Sequence, residues 1–203
     1  PMSARRQRQM CIRDRDGSSQ LIAKTGYSRI GGFEIYLSRP ELGKHLWETI
    51  LEAGRSENIR PGSPNIIDRV EAGLLSYGNE MTVENTPLEC NMDKFVDINK
   101  EIDYIGKKVL LRQTKYGVKR RIRGAIYEGA KLPTISTPLQ VFDTDKRTIV
   151  GSLTSGAFSP HFNSNIGLGM IGYGCWDNNK EIFVKISEQE FRKGLIKDLP
   201  LIQ

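Results

Sequence analysis

The run Val118-Lys119-Arg120-Arg121-Ile122-Arg123-Gly124-Ala125-Ile126-Tyr127 decides the fold of the C-terminal half. It is short, β-branched at intervals, and followed by a turn-forming Glu-Gly pair. It is also the first of five such runs. The others occupy residues 139–142, 148–155, 166–171 and 181–186, each bounded by Gly, Pro, Asn or Asp. Short β-prone segments at this spacing predict an all-β barrel or sandwich. Upstream the texture differs, which puts a domain boundary near Tyr104.

Working back from that boundary, residues 79–100 are irregular and rich in Asn, Thr and acidic side chains. Before them, Ser63-Pro64 has the form of an N-cap and N1 pair. It opens a short helix with Ile66, Ile67 and Val70 facing a core and an end near Gly73. Earlier still, residues 21–23 and 32–37 read as strands, with apolar positions alternating around Glu34. Ser38 and Glu41 have capping-box spacing, and Pro40 sits where a missing N–H costs little. Leu42, Leu46, Ile50 and Ala53 then form one apolar stripe that Gly54 ends. Strands and helices alternating in this way predict an α/β layer.

Composition narrows the function. The 203 residues are 38% hydrophobic and 27% charged, the proportions of a soluble globular protein. No apolar run approaches the roughly 18 residues of a membrane span, and residues 1–20 lack a signal-type apolar core. Three cysteines and two histidines show no metal-ligand spacing and no disulfide framework, which fits a reducing cytoplasm. The net charge of +6 suggests nucleic acid until it is divided along the chain. Half of it sits in residues 1–16, where Arg5, Arg6, Arg8, Arg13 and Arg15 oppose Asp14 and Asp16. That stretch has no structural period, and residues 1–19 are expected to stand outside the fold, as a non-native or disordered segment. Its rival reading is a basic arm that binds phosphates. Neither nucleic acid nor a membrane is the expected partner.

The candidate chemistry centres on Arg69-Val70-Glu71-Ala72-Gly73-Leu74-Leu75-Ser76-Tyr77-Gly78-Asn79-Glu80. Glu71 lies at a helix C-terminal end, where the macrodipole disfavours negative charge, and among small apolar residues. From pattern alone it reads as a solvated helix-end glutamate. Tyr77 reads as a core tyrosine and the basic cluster Arg120, Arg121, Arg123 as a solvated face. Alternation sets Arg121 and Arg123 on one side of their strand and Arg120 on the other. Trp176 is a barrel core or rim residue on the same grounds. His45 reads as structural. Cys90 and Cys175 have no neighbouring histidine to activate them.

These residues carry a resemblance. Thr25-Gly26-Tyr27 with Gly32-Phe33-Glu34-Ile35, the 69–80 segment and Thr86-Pro87-Leu88-Glu89 are similar in order and spacing to the glycine-cleavage T-protein (aminomethyltransferase) superfamily. The likeness continues through Gly106-Lys107, residues 119–123, Thr154-Ser155-Gly156 and Ser159-Pro160. It covers nearly everything from residue 20 onward. Within the superfamily, residues 31–37, 62–67, 73–81, Glu89-Cys90 and Lys94-Phe95 more closely resemble the dimethylsulfoniopropionate demethylase branch. Asn91-Met92-Asp93 departs from the pattern, because both branches carry a glycine-rich turn there.

The resemblance implies an α+β fold: the remainder of the α/β middle domain of a cloverleaf (residues 20–104), then a C-terminal all-β barrel domain (105–203). It implies tetrahydrofolate as cofactor and Glu71 as acceptor for the pterin ring, whose adjacent amino and ring N–H groups suit a carboxylate. Tyr77 would line the cofactor funnel, with Tyr27 and Glu34 in a second family segment. Arg121 or Arg123 would pair with the folate glutamate tail, and Trp176 would stack on the ligand. The implied reaction demethylates dimethylsulfoniopropionate to 5-methyltetrahydrofolate and methylmercaptopropionate, with a small-molecule methyl donor and no metal. The alternative is aminomethyl transfer from a lipoyl carrier protein in glycine cleavage. A third class, the folate-binding modules of iron–sulfur assembly, carries a cysteine signature that this sequence lacks. The catalytic acidic residue is expected in an N-terminal portion preceding this chain, and the 203 residues alone are expected to be inactive.

Overall fold

The computed structural model describes residues 9–13, 19–27, 31–63 and 65–202, with side chains from residue 20 onward. The chain divides into two compact units, Pro1–Asn65 and Ile66–Gln203.

The first unit holds a three-stranded antiparallel sheet in the order β1 (Gln9–Arg13), β2 (Ser19–Ala23), β3 (Glu34–Tyr36). β1 pairs with β2 along its whole length. Residues 9–13 and Ser19 therefore belong to a sheet, which corrects the expectation that residues 1–19 stand outside the fold; residues 1–8 and 14–18 lie outside the described residues. β1 is the end strand of this sheet, and its consecutive Met-Cys-Ile gives no alternation to mark a strand in sequence. After β3, the 3-10 turn Pro40–Leu42 leads into α1 (Gly43–Ala53). Pro40 occupies the first turn as expected, but Ser38 makes no capping bond: neither helical segment has a side-chain cap. Gly54 ends α1, its N–H bonding Ile50 O at 2.9 Å. A side chain at Gly54 would stand 2.5 Å from Ile59 Cγ2. The expected Ser63-Pro64 cap falls at Pro64, outside the described residues.

The second unit is a closed six-stranded antiparallel barrel with covering elements. Its strands are β4 (Arg120–Tyr127), β5 (Leu139–Phe142), β6 (Ile149–Ser159), β7 (Ser164–Gly172), β8 (Glu181–Lys185) and β9 (Phe191–Lys197), ordered β4-β7-β6-β5-β8-β9 around the barrel. The five expected runs all form strands. β9 and the helix α3 (Lys107–Tyr116) are additions. β9 escaped because Arg192, Lys193 and Gly194 interrupt its apolar alternation, and α3 because only Leu110 on it is buried. Leu153, Ile171, Ile182, Val184 and Ile196 fill the barrel with no exposed surface. Full burial of one such side chain contributes about 1.5–3 kcal/mol. Closure also needs Gly169 on β7, where a Cβ would fall 1.8 Å from Ser152 O of β6.

A second cluster lies outside the barrel wall. Ile166 and Leu168 of β7 pack with Val70 of the short helix α2 (Ile66–Glu71), joined by Ile126, Leu199 and Leu201. With apolar cover on both faces, β7 is buried almost continuously rather than alternately. This packing places residues 66–104 in the same compact unit as the barrel, although their sequence texture groups them with the preceding layer. Asn91 stands where the resemblance expects glycine. Its φ of 55° is the left-handed conformation that Asn accepts most readily after Gly, and its amide donates to Ile122 O at 3.0 Å.

Candidate functional site

In the barrel unit, Glu71 ends α2 because Gly73 takes a φ of 66° and turns the chain. Its main-chain carbonyl accepts the N–H groups of Leu201 and Ile202. The residue is 8% exposed, and its carboxylate accepts the hydroxyl of Ser159 at 2.5 Å. Ser159 is itself fully buried and accepts the Phe162 N–H at 3.1 Å. Glu71 thus clamps α2 to the end of β6.

Beside it is a buried ion pair that sequence reading missed. Arg69 meets Glu80 at 2.9 Å, with side chains 8% and 0% exposed. Arg69 also donates to Leu74 O at 2.8 Å, and Glu80 accepts the Ser76 N–H at 2.7 Å. Together they fasten the loop 74–81 that holds Tyr77 68% exposed, so Tyr77 is not the core tyrosine that pattern alone suggested. The helix that carries Arg69 ends at Glu71, so only the fold brings this pair, eleven residues apart, together.

In the first unit, Glu34 lies on β3 with its carboxylate exposed. The Thr25 hydroxyl donates to it, and the Tyr36 hydroxyl stands 3.5 Å away. Tyr27, Phe33 and Tyr36 are about half exposed or more. This unit therefore carries an accessible carboxylate with one donor already aligned and uncovered aromatic surface on the same short segments.

The three arginines of β4 separate as alternation predicts. Arg120 turns to Glu89 at 3.0 Å and to Glu84 O at 3.0 Å. Arg123 donates to Trp176 O at 2.7 Å and to Ile122 O at 3.3 Å, with Asp198 at 3.8 Å. Burial lowers its pKa, and the Asp198 carboxylate opposes that shift. Arg121 lies over the Trp176 ring, 5.6 Å from its centroid. Both line a cleft of about 640 Å³ in this unit. The Arg121–Trp176 cluster and the Glu71–Ser159 pair are not one site. Arg121 pairs with Ile171 at one end of β7, whereas Ser159 pairs with Ser164 at the other. Seven residues of strand separate them, about 23 Å.

Among the described side chains, neither Cys90 nor Cys175 is an activated nucleophile. Burial raises the Cys90 thiol, helped by the neighbouring Glu89 charge, and Cys175 is raised by burial and by Asp143. Among the described residues no group of three or more His, Cys, Asp or Glu is placed to hold a metal ion. No helix among them is long and apolar enough to cross a membrane.

Family models match both parts of the chain: the GCVT N-terminal domain over residues 8–100, and the glycine cleavage T-protein C-terminal barrel domain over residues 120–200. The chain belongs to the glycine-cleavage T-protein superfamily. Among its relatives, the dimethylsulfoniopropionate demethylase DmdA of Ruegeria pomeroyi is 43% identical over 160 residues, covering 79% of this chain and 43% of that protein. An aminomethyltransferase of Desulfitobacterium hafniense is 41% identical over 158 residues, covering 77% and 42%. The crystal structure of the glycine cleavage system aminomethyltransferase T of Bartonella henselae superposes with a TM-score of 0.75 at 23% identity, over 90% of this chain and 50% of that one, a likeness of fold. The chain spans about half the length of the curated relatives it matches.

Proposed function

We propose that this chain serves a tetrahydrofolate-dependent one-carbon transferase, with dimethylsulfoniopropionate as methyl donor. Family membership supports the class. The donor rests on the branch motifs at residues 31–37, 62–67 and 73–81, because the demethylase and aminomethyltransferase relatives are almost equally identical. In this reading residues 20–104 contribute the folate-binding portion, residues 105–203 the barrel, and the protein works in the cytoplasm.

The observation that carries the site is the contrast between two carboxylates. A pterin edge needs a carboxylate that a ligand can reach. Glu71 was the first candidate in sequence, but it is buried against Ser159. Glu34 is accessible and oriented by Thr25, and exposed aromatic rings share its unit. We therefore assign the pterin contact to Glu34 with Tyr27 beside it, and to Glu71 the task of holding α2. The donor set fits the cofactor: a carboxylate meets two parallel N–H donors, and tyrosine faces suit a flat heterocycle. When bound, tetrahydrofolate supplies the N5 nitrogen that accepts the methyl group. The chain's own residues orient it and exclude water. The S–CH3 bond breaks as the N5–CH3 bond forms: the sulfonium departs as a neutral sulfide that needs no proton, and the proton that N5 carried is released.

Calorimetric titration of tetrahydrofolate into the Glu34→Gln and Glu71→Gln variants tests the assignment. Losing a charge-assisted contact weakens binding by about 10- to 100-fold, and this is expected at Glu34 alone. A comparable loss at Glu71, in a variant that still folds, transfers the role to Glu71. Formation of methyltetrahydrofolate from dimethylsulfoniopropionate tests the donor. Turnover of an aminomethylated lipoyl carrier protein instead is the outcome of the second reading, which the relative from Desulfitobacterium hafniense supports.

A further inference from the structure

We propose that the cleft between α3 and the start of β4 is an oligocarboxylate-binding site, anchored by Arg121 and distinct from the pterin contact. Four observations carry it. Arg112, Lys119 and Arg121 all line the cleft. The one carboxylate there, Glu89, is already matched, accepting Arg120 at 3.0 Å and the Thr86 N–H at 2.9 Å. The cleft therefore presents uncompensated positive charge. Next, the Arg121 guanidinium lies over the Trp176 ring, 5.6 Å from its centroid, and that ring makes a T-shaped contact with Tyr173 at 5.2 Å. A planar guanidinium is the group that grips a carboxylate bidentately. Finally, Arg121 Nε is buried and has no hydrogen-bond partner among the described residues. A desolvated, unmatched donor is costly, and a carboxylate along the Nε–Nη edge satisfies it.

Arg123 and Arg120 do not share this role, since both forks are engaged within the protein. The charge of Arg112 and Lys119 around the same opening favours a ligand with more than one carboxylate. The Trp176 and Tyr173 faces favour one that also carries a flat or apolar spacer. Two sources share this chemistry: the aminobenzoyl-glutamate part of a folate, and a free small oligocarboxylate. The first rests on the folate reading; the second does not.

The test uses the whole 203-residue chain with Trp47→Phe, which leaves Trp176 as its one tryptophan. Titration with p-aminobenzoyl-triglutamate, which has no pterin, with citrate and with inorganic phosphate is followed by calorimetry and Trp176 emission. Saturable binding of either oligocarboxylate is expected, at least tenfold weaker in Arg121→Met and in Arg121→Lys, which keeps the charge but loses the flat fork. A preference for p-aminobenzoyl-triglutamate identifies the folate tail as the source, and a preference for citrate identifies a free oligocarboxylate. Arg112→Gln with Lys119→Gln, both at exposed positions, gives a second measure, with a smaller loss expected. No saturable binding overturns the proposal. So do equal affinity for inorganic phosphate and unchanged affinity in the Arg121 variants. Because the probe lacks a pterin, a failed Glu34 assignment leaves these outcomes readable.

Discussion

The two units of this protein differ in what their side chains enclose. In residues 66–203, Leu153, Ile171 and Ile182 are fully buried, and β8 alternates buried and half-buried positions as a barrel wall must. In residues 1–65, Gln20 and Ala23 are the buried side chains among those described, and α1 buries none. The difference extends to the carboxylates. Glu71, Glu80 and Glu89 of the barrel unit are buried and each is matched to donors. Glu34 of the first unit is exposed. A well-packed unit consumes its polar groups to satisfy its own backbone and charges, so the accessible recognition chemistry falls to the less enclosed unit and to one barrel cleft.

This comparison is most sharply tested at its most enclosed charged residue, Glu80. Arg69→Met leaves Glu80 buried without its partner, and losing one member of such a pair costs about 3–5 kcal/mol. Urea denaturation of the barrel unit should show that loss. Unchanged stability would mean that the pair is not desolvated as the structure has it. Next in size is a matched pair of truncations. Leu153→Ala should cost about 2–5 kcal/mol, whereas Ile50→Ala on α1, already 36% exposed, should cost less than about 1 kcal/mol. Equal costs would show that the first unit is as tightly enclosed as the second.

The smallest effect concerns acid. The Asp143 carboxyl is held below its ordinary value by the Thr144 N–H and then by Lys180, at 3.2 Å. A lowered pKa means that the folded state binds this proton less readily than the unfolded chain. Its contribution is therefore present above a pH of about 4 and fades as the pH falls through the lowered value. The gap in melting temperature between the wild type and Asp143→Asn should be small at neutral pH and close in acid. A gap that persists to the lowest pH would place the effect in packing instead.

Much of the barrel was legible because its strands are short, apolar and punctuated. Residues 139–142 were bounded correctly, and the end of β4 fell at Tyr127 as read. β9 was not legible, because arginine, lysine and glycine occupy positions where periodicity needs apolar side chains, and β1 was not, because its Met-Cys-Ile run does not alternate. At the candidate site, the sequence placed Arg121, Arg123 and Trp176 among the residues of interest, and alternation correctly separated Arg120 from the other two. It did not rank the glutamates by access. Glu71 stands in the more distinctive motif, yet its nearest polar neighbour, Ser159, is 88 residues away in the chain.

What the sequence by itself determined is five of the six barrel strands and the family, since strand alternation, turn residues and ordered motifs are local properties that survive without coordinates. Only the tertiary structure decided which charges are matched. It set Arg69 on Glu80, Ser159 on Glu71 and Trp176 under Arg121, and it held the Glu71 pair about 23 Å of strand away from the Arg121 cluster. The physical reason is that burial and hydrogen-bond satisfaction depend on contacts between residues far apart in the chain, and no periodicity encodes those distances.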